Sequence, residues 1–313
     1  MAMTRAVEIP QPGGPEVLRV AEREVRDPRA GEVRIAVRAA AVNPTDIGLR
    51  QRGAPGLDPP WVPGMDAAGV VESVGAGAER LAVGDRVMAA VMPRRPEGGA
   101  QAELVVVPAA SVVPAPVGRS IEQAATLPMN GLTAMRGLEL LALEPGATLA
   151  VTGGAGLLAS YVIPLAKRQG LHVLADANPE DEELVRSFGA DEVLPRGDGL
   201  VAALRAQAPG GVDAVYDTAL LGRSVLPAIR EGGAFAFVRT WDGEDVEQGV
   251  HVRRVQIADV IERTGWLEEL AALTAEGLLA LRVAETFPPE QAADAHRLME
   301  RGGLRGRALI IFD

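Results

Sequence analysis

The sequence contains no cysteine, which excludes disulfides, thiol nucleophiles and every thiolate metal site. Histidine is nearly as scarce. His172, His251 and His296 are the full set, and none lies near enough to another in sequence to form a local pair of metal ligands. Lysine occurs once, as Lys167, among 31 basic residues; so strong a bias toward arginine reflects genome composition. No apolar run approaches the roughly 18 residues of a membrane helix. The start, MAMTRAVEIP, lacks both an apolar signal core and a transit-peptide character, so a cytoplasmic protein is expected. A net charge of −11 disfavours nucleic acid and anionic membranes as partners. Neither a G-x-S-x-G nor a Y-x-x-x-K motif occurs, so serine hydrolysis and short-chain dehydrogenase chemistry are disfavoured.

What is present falls into two textures. At 313 residues, and about 150 residues per domain, two domains are expected. The first 115 residues carry alternating or β-branched runs such as EVRIAVRAAAV (32–42) and DAAGVVESVG (66–75), punctuated by glycine and proline. These predict a partly closed antiparallel barrel. SIEQAATLPMNGLTAMRGLELLAL, from 120, predicts a helical stretch. Then TLAVTG, LHVLADA, DEVLP, VDAVYDTA and GAFAFVR alternate with helical segments at 157–169, PEDEELVRSFG, GLVAALRAQ and SVLPAIREG. Continuous apolar strands separated by helices imply a parallel sheet covered on both faces. After 258 a helix, a strand near RVAETF, a second helix and a last strand, GRALIIFD, are expected to return to the first domain. The expected division is 1–120 with 258–313, and 121–257.

One loop carries a chemical signature. In VTGGAGLLAS (151–160) a strand runs into glycines and then a helix, an arrangement that aims backbone N–H groups and a helix dipole at a pyrophosphate. Gly154, Gly156 and Ala159 match G-x-G-x-x-G/A, and Asp176 follows 22 residues after Gly154 at the end of the next strand. An acid there can accept from both adenosine ribose hydroxyls and favours NADH over NADPH. Gly153, Leu157 and Leu158 complete the predicted loop. Thr218 to Leu220 and Val238 to Thr240, Arg239 among them, end strands and should line the ligand crevice of an open α/β sheet.

With AAVNPTDIGLRQRG (40–53), VPGMDAAGVVESVGAG (62–77), VGDRVMA (83–89), GGAQAELVVVPA (98–109), AATLPMNGLTAMRGL (124–138), FGADEVL (188–194) and GGLRGRALI, the chain resembles a zinc-independent medium-chain dehydrogenase/reductase. The nearest group is that of the quinone oxidoreductases, itself similar to polyketide synthase enoyl reductase domains. The resemblance implies a GroES-like barrel plus a doubly wound Rossmann sheet, an NADPH or NADH cofactor, a small quinone or enone acceptor, and a homodimer joined through Rossmann edge strands, for which FAFVRTW is apolar enough. It further implies that Asn43 and Asp46 of the NPxD motif stand near nicotinamide and substrate, that Thr133 lies beside the cofactor, and that Arg307 occupies a basic cofactor-side position.

Three departures from that pattern bear on function. Zinc relatives carry a ligand histidine in a G-H-E frame; here Gly64, Met65 and Asp66 occupy it, so no zinc is expected and an already electrophilic acceptor suits the site better than an alcohol. Relatives usually carry a tyrosine two residues after the aspartate, where this chain has Gly48. Leu157 replaces a loop glycine that lies close to the phosphates. Leu157, Ala159 and Gly48 also fit a different reading, a family member that has lost its cofactor and serves as a binding, scaffolding or non-redox tailoring protein. The 48–62 segment is expected to wall the pocket, with Trp61 either on substrate or in the barrel.

Overall fold

The structure, a computed structural model, describes residues 1–239, 241, 243–247 and 249–313. Strands β1 (Ala2–Glu8) and β2 (Arg19–Val25) form an antiparallel pair. They precede β3 (Glu32–Ala41), helix α1 (Pro44–Arg52), β4 (Asp66–Val74), β5 (Arg86–Ala90), β6 (Leu104–Pro108) and β7 (Val112–Pro114). The long strand β3 is the hub: β4 pairs along one edge, and β6 pairs antiparallel with its first half. Val33, Ile35, Val37, Val71, Val87 and Val105 alternate inward to make the core, the period-two pattern expected of half-buried strands. Gly69 is required there, because a Cβ on it would fall 2.0 Å from the Ala36 carbonyl.

The helical stretch predicted from 120 is two helices, α2 (Ile121–Ala124) and α3 (Pro128–Leu141), because Pro128 cannot continue α2 but suits the first turn of α3. Beyond α3 come β8 (Thr148–Thr152), α4 (Ala159–Arg168), β9 (His172–Ala177), α5 (Glu182–Ser187), β10 (Glu192–Pro195), α6 (Leu200–Gln207), β11 (Val212–Asp217), β12 (Ile229–Phe237), β13 (Val246–Glu247) and β14 (Val250–Arg254). Their sheet has the order β10-β9-β8-β11-β12-β14-β13, parallel except for β13. The chain thus starts in the middle, builds outward on one side, and crosses back between β8 and β11. That crossing is the switch point where open α/β sheets bind ligands. The helix predicted over SVLPAIREG is instead a 3-10 segment, Gly222–Ala228, running into β12; Pro227 withholds the N–H an α-helix would need. The Phe235–Phe237 part of FAFVRTW is not an edge, since β12 is paired on both sides by β11 and β14.

The tail contributes α7 (Thr264–Ala275), β15 (Val283–Phe287), α8 (Ala292–Arg301) and β16 (Arg307–Ile311). β16 pairs with β3 at Ala39–Ala41, beyond the part of β3 held by β6, so the chain end returns to the first sheet. The chain divides into Met1–Met129 with Ala258–Asp313, and Asn130–Ile257. Residues 121–129, assigned from the sequence to the second domain, go with the first because α2 packs on β3, β4 and β5. Arg50 ties α1 to α8. Its guanidinium, 1% exposed, donates to the Gly13 carbonyl at 3.1 Å, to His296 Nδ1 at 3.2 Å and to Glu300. Among the described residues no helix is long and apolar enough to cross a membrane.

Candidate functional site

In the first unit the NPxD segment opens α1, with Asn43 as the residue before its first turn and Pro44 at the first helical position. Asp46 is fully buried and bonds only to backbone. Its Oδ2 accepts the Asn43 N–H at 2.7 Å and its Oδ1 the Gly64 N–H at 2.8 Å. Asn43 in turn donates its side-chain amide to Asp66 Oδ2 at 2.6 Å, and Asp66 Oδ1 accepts the Met129 N–H at 2.6 Å. Asp46 therefore staples the entry of α1, while Asp66, the acid of the G-M-D frame, orients Asn43. Sequence reasoning recognised that frame but gave Asp66 no role; an acid bracketed by Gly64 and Gly69 was the available signal.

Burial pushes the Asp46 carboxyl up to about 7 against the opposing pull of the two N–H groups, with the Asp66 charge adding to the rise. Burial likewise takes Asp66 up to about 6, opposed by the Met129 N–H and the Asn43 amide. Arg307, at the start of β16 and 7% exposed, lowers both, so it belongs with this carboxyl cluster. Because the folded state favours neutral Asp46, the associated stability is complete below the unfolded carboxylate range and is lost as pH rises toward 7. Asp46→Asn is neutral at every pH. The stability of the native protein relative to this variant should therefore fall by about 2 kcal/mol between pH 5 and pH 8, measured by denaturant unfolding of both proteins at each pH.

In the second unit the loop after β8 is held from β9. Gly153 takes a positive φ of 69° and donates its N–H to Asp176 Oδ1 at 2.5 Å, while the Gly154 N–H bonds the Asp176 carbonyl at 3.0 Å. A Cβ on Gly154 would lie 2.8 Å from that carbonyl, so the close approach needs glycine. The Ser160 N–H bonds the Gly156 carbonyl. Among the described residues, the N–H groups of Leu157, Leu158 and Ala159 meet no acceptor. These donors stand at the positive end of the α4 dipole, the arrangement that suits a phosphate. Leu157 is 5% exposed, so its side chain is packed within the protein.

Asp176 is enclosed and engaged within the protein. Its side chain is 2% exposed, one oxygen is committed to Gly153, and the other faces Arg196 Nε at 3.9 Å. Burial raises its pKa against the Gly153 N–H and the Arg196 charge. Asp176 and Arg196 line a cavity of about 290 Å³ together with Asp198, Leu221 and Ser224. Arg196 was missed from the sequence because only its place at the end of β10 brings it to Asp176.

On the other side of the crossing, Thr152 Oγ1 donates to Asp217 Oδ1 at 2.6 Å, and the Asp217 carboxylate accepts the Leu221 and Gly222 N–H groups. Thr218 donates its hydroxyl to the Thr152 carbonyl at 2.5 Å, so it fixes the loop after β11. Thr133, on α3, is 8% exposed, and its carbonyl accepts the Tyr216 hydroxyl at 2.6 Å. Val238 is half-buried and Arg239 exposed just past β12; Thr240 lies outside the described residues. Tyr161 and Tyr216 are both fully buried, so neither offers an accessible proton donor. Trp61 packs in the barrel with Ile9, Leu49 and Ala54, its Nε1 donating to the Leu57 carbonyl at 2.9 Å.

Residues 29–117 match the family model of the alcohol dehydrogenase GroES-like domain, and residues 188–310 that of the zinc-binding dehydrogenase. The NADPH-dependent alkenal/one oxidoreductase of Arabidopsis thaliana chloroplasts is 30% identical over 95% of this chain and 77% of its own length. The chain belongs to the medium-chain dehydrogenase/reductase family. Within that family it is quinone oxidoreductase-like: the quinone oxidoreductase from Coxiella burnetii superposes with a TM-score of 0.85 at 25% identity, covering 100% of each chain. A mycobacterial relative solved with NADPH superposes with a TM-score of 0.83 at 27% identity, covering 99% of this chain and 100% of its own. The Streptomyces venezuelae polyketide synthase component PikAII is 32% identical over 90% of this chain, which spans 8% of its length.

Proposed function

We propose that this family member is an NAD(P)H-dependent reductase that passes hydride to a quinone or a conjugated carbonyl and works without zinc. The carrying observation is the start of α4, where three successive amide N–H groups follow a glycine turn at the switch point of the sheet. Gly153, Gly154, Gly156, Leu157 and Leu158 would hold the pyrophosphate, and Asp176 and Arg196 the adenosine end. Thr133, Thr218, Val238 and Arg239 are assigned to the nicotinamide end. The bound nicotinamide supplies the hydride. Asp176 favours a ribose diol and Arg196 a 2′-phosphate, so both nucleotides belong in the assay.

Zinc independence rests on the donors. The chain has no cysteine, Met65 stands in the histidine frame, and among the described residues no group of three histidine or acidic side chains could hold a metal. Reduction of a conjugated acceptor needs positioning and exclusion of water more than strong acid–base groups. Asn43, oriented by Asp66, is assigned to position the acceptor, and the final proton comes from solvent. Titration of NADH and NADPH with the folded protein should shift or quench nucleotide fluorescence at micromolar concentration, and oxidation of either should follow with a quinone or an enone. Unchanged fluorescence with both nucleotides ends this reading in favour of a non-redox binding role.

Leu157 is the internal control. With its side chain buried, Leu157→Gly removes apolar packing and frees the loop, so it should lower stability by about 3 kcal/mol and weaken nucleotide binding in the same titration. Tighter binding would show that the leucine obstructs the phosphates.

A further inference from the structure

Helix α1 carries two arginines with opposite fates. Arg50 is buried and fully engaged. Arg52, the last residue of the helix, is exposed, and among the described residues it forms neither a hydrogen bond nor an ion pair, although the chain carries a net charge of −11. Its guanidinium nevertheless has a defined seat. A Cβ on Gly48, one helical turn earlier on the same face, would lie 2.5 Å from Arg52 Nη2 and 3.4 Å from its Cζ. The guanidinium thus fills the side-chain space that Gly48 leaves open, and Gly48 is buried. Glycine inside a helix is unfavourable relative to alanine; here it gives the arginine somewhere to lie.

The carboxyl of the same helix does not absorb this charge, because both oxygens of Asp46 are already bonded to backbone N–H groups. An arginine fork matches a planar carboxylate through two parallel N–H bonds. We propose that Arg52, seated on Gly48, is a specificity-determining residue that binds an anionic group, a carboxylate above all, on the acceptor. The preferred substrate class is then a conjugated carbonyl acid rather than its neutral counterpart. This rests on the reading above, in which Asn43, at the start of the helix that Arg52 ends, positions the acceptor.

The test compares trans-β-benzoylacrylic acid with its methyl ester as acceptors for the nucleotide-loaded protein, and measures inhibition by the saturated, unreactive β-benzoylpropionic acid. The native protein should favour the acid by about tenfold or more in kcat/KM, expressed in KM, and lose the preference at high salt. Arg52→Gln should collapse the acid-to-ester ratio and raise the inhibition constant of the saturated acid about tenfold, and Arg52→Lys should recover part of both. Gly48→Ala keeps the charge but evicts the guanidinium, so it should lower the ratio without lowering the melting temperature. An acid-to-ester ratio that is the same in native, Arg52→Gln and Gly48→Ala proteins overturns the proposal while the reductase reading stands. Absence of turnover with the acid, the ester and naphthoquinone alike, with either nucleotide, defeats both.

Discussion

Gly137→Ala should be the most damaging single methyl in the second unit, lowering the unfolding free energy by about 3–5 kcal/mol. A Cβ at this position on α3 would fall 2.2 Å from the Tyr216 Cζ and 2.3 Å from its hydroxyl. Tyr216 has nowhere to go, being fully buried on β11 with its hydroxyl bonded to the Thr133 carbonyl. The ring must move or the helix must lift, and either leaves the hydroxyl without its acceptor in a place where water does not reach. Tyr216→Phe removes only the hydroxyl and should cost about 1 kcal/mol. The two sites touch, so Gly137→Ala combined with Tyr216→Val should be less unstable than the sum of the singles. Denaturant unfolding of the four proteins reads this coupling. Additive losses would mean that the ring does not press on Gly137.

Asp66→Asn should reduce kcat/KM about 100-fold with little change in nucleotide affinity. The native carboxylate accepts from two donors, the Met129 N–H and the Asn43 amide. An asparagine offers one carbonyl, so one of those donors would face another N–H at close range. Asn43 then loses the orientation on which the proposed acceptor contact depends. Steady-state kinetics with a quinone and an enone, beside fluorescence titration of the nucleotide, separate the two effects. Equal losses in turnover and nucleotide binding would point to general unfolding, and no loss in either would remove Asn43 from the reaction.

Much of this architecture was legible beforehand. Continuous apolar strands alternating with helices implied the parallel sheet, and the period-two runs before 115 implied the barrel, because each periodicity states how many faces of an element are buried. The glycine turn of VTGGAGLLAS and the return of the chain end were visible for the same local reasons. Errors arose where proline overrode an apolar pattern, at Pro128 and Pro227, and where strand order mattered, as with FAFVRTW, whose composition suits an edge or an interior equally.

The site divides along the same line. The sequence by itself determined that thiol and disulfide chemistry are closed to this protein, since the absence of cysteine needs no fold to be decisive. It also located the glycine turn before α4 and the NPxD turn, because backbone conformation there depends on neighbouring residues. Only the tertiary structure decided what the carboxylates do: that Asp46 bonds backbone alone, that Asp66 orients Asn43, that Asp176 holds its own loop, and that Arg196 meets it across two strands. Those assignments depend on burial and on contacts between residues far apart in the chain, such as Asp66 with Met129 and Gly153 with Asp176. A carboxyl group's partners and its proton affinity are set by what surrounds it in space, and no local pattern of residues carries that information.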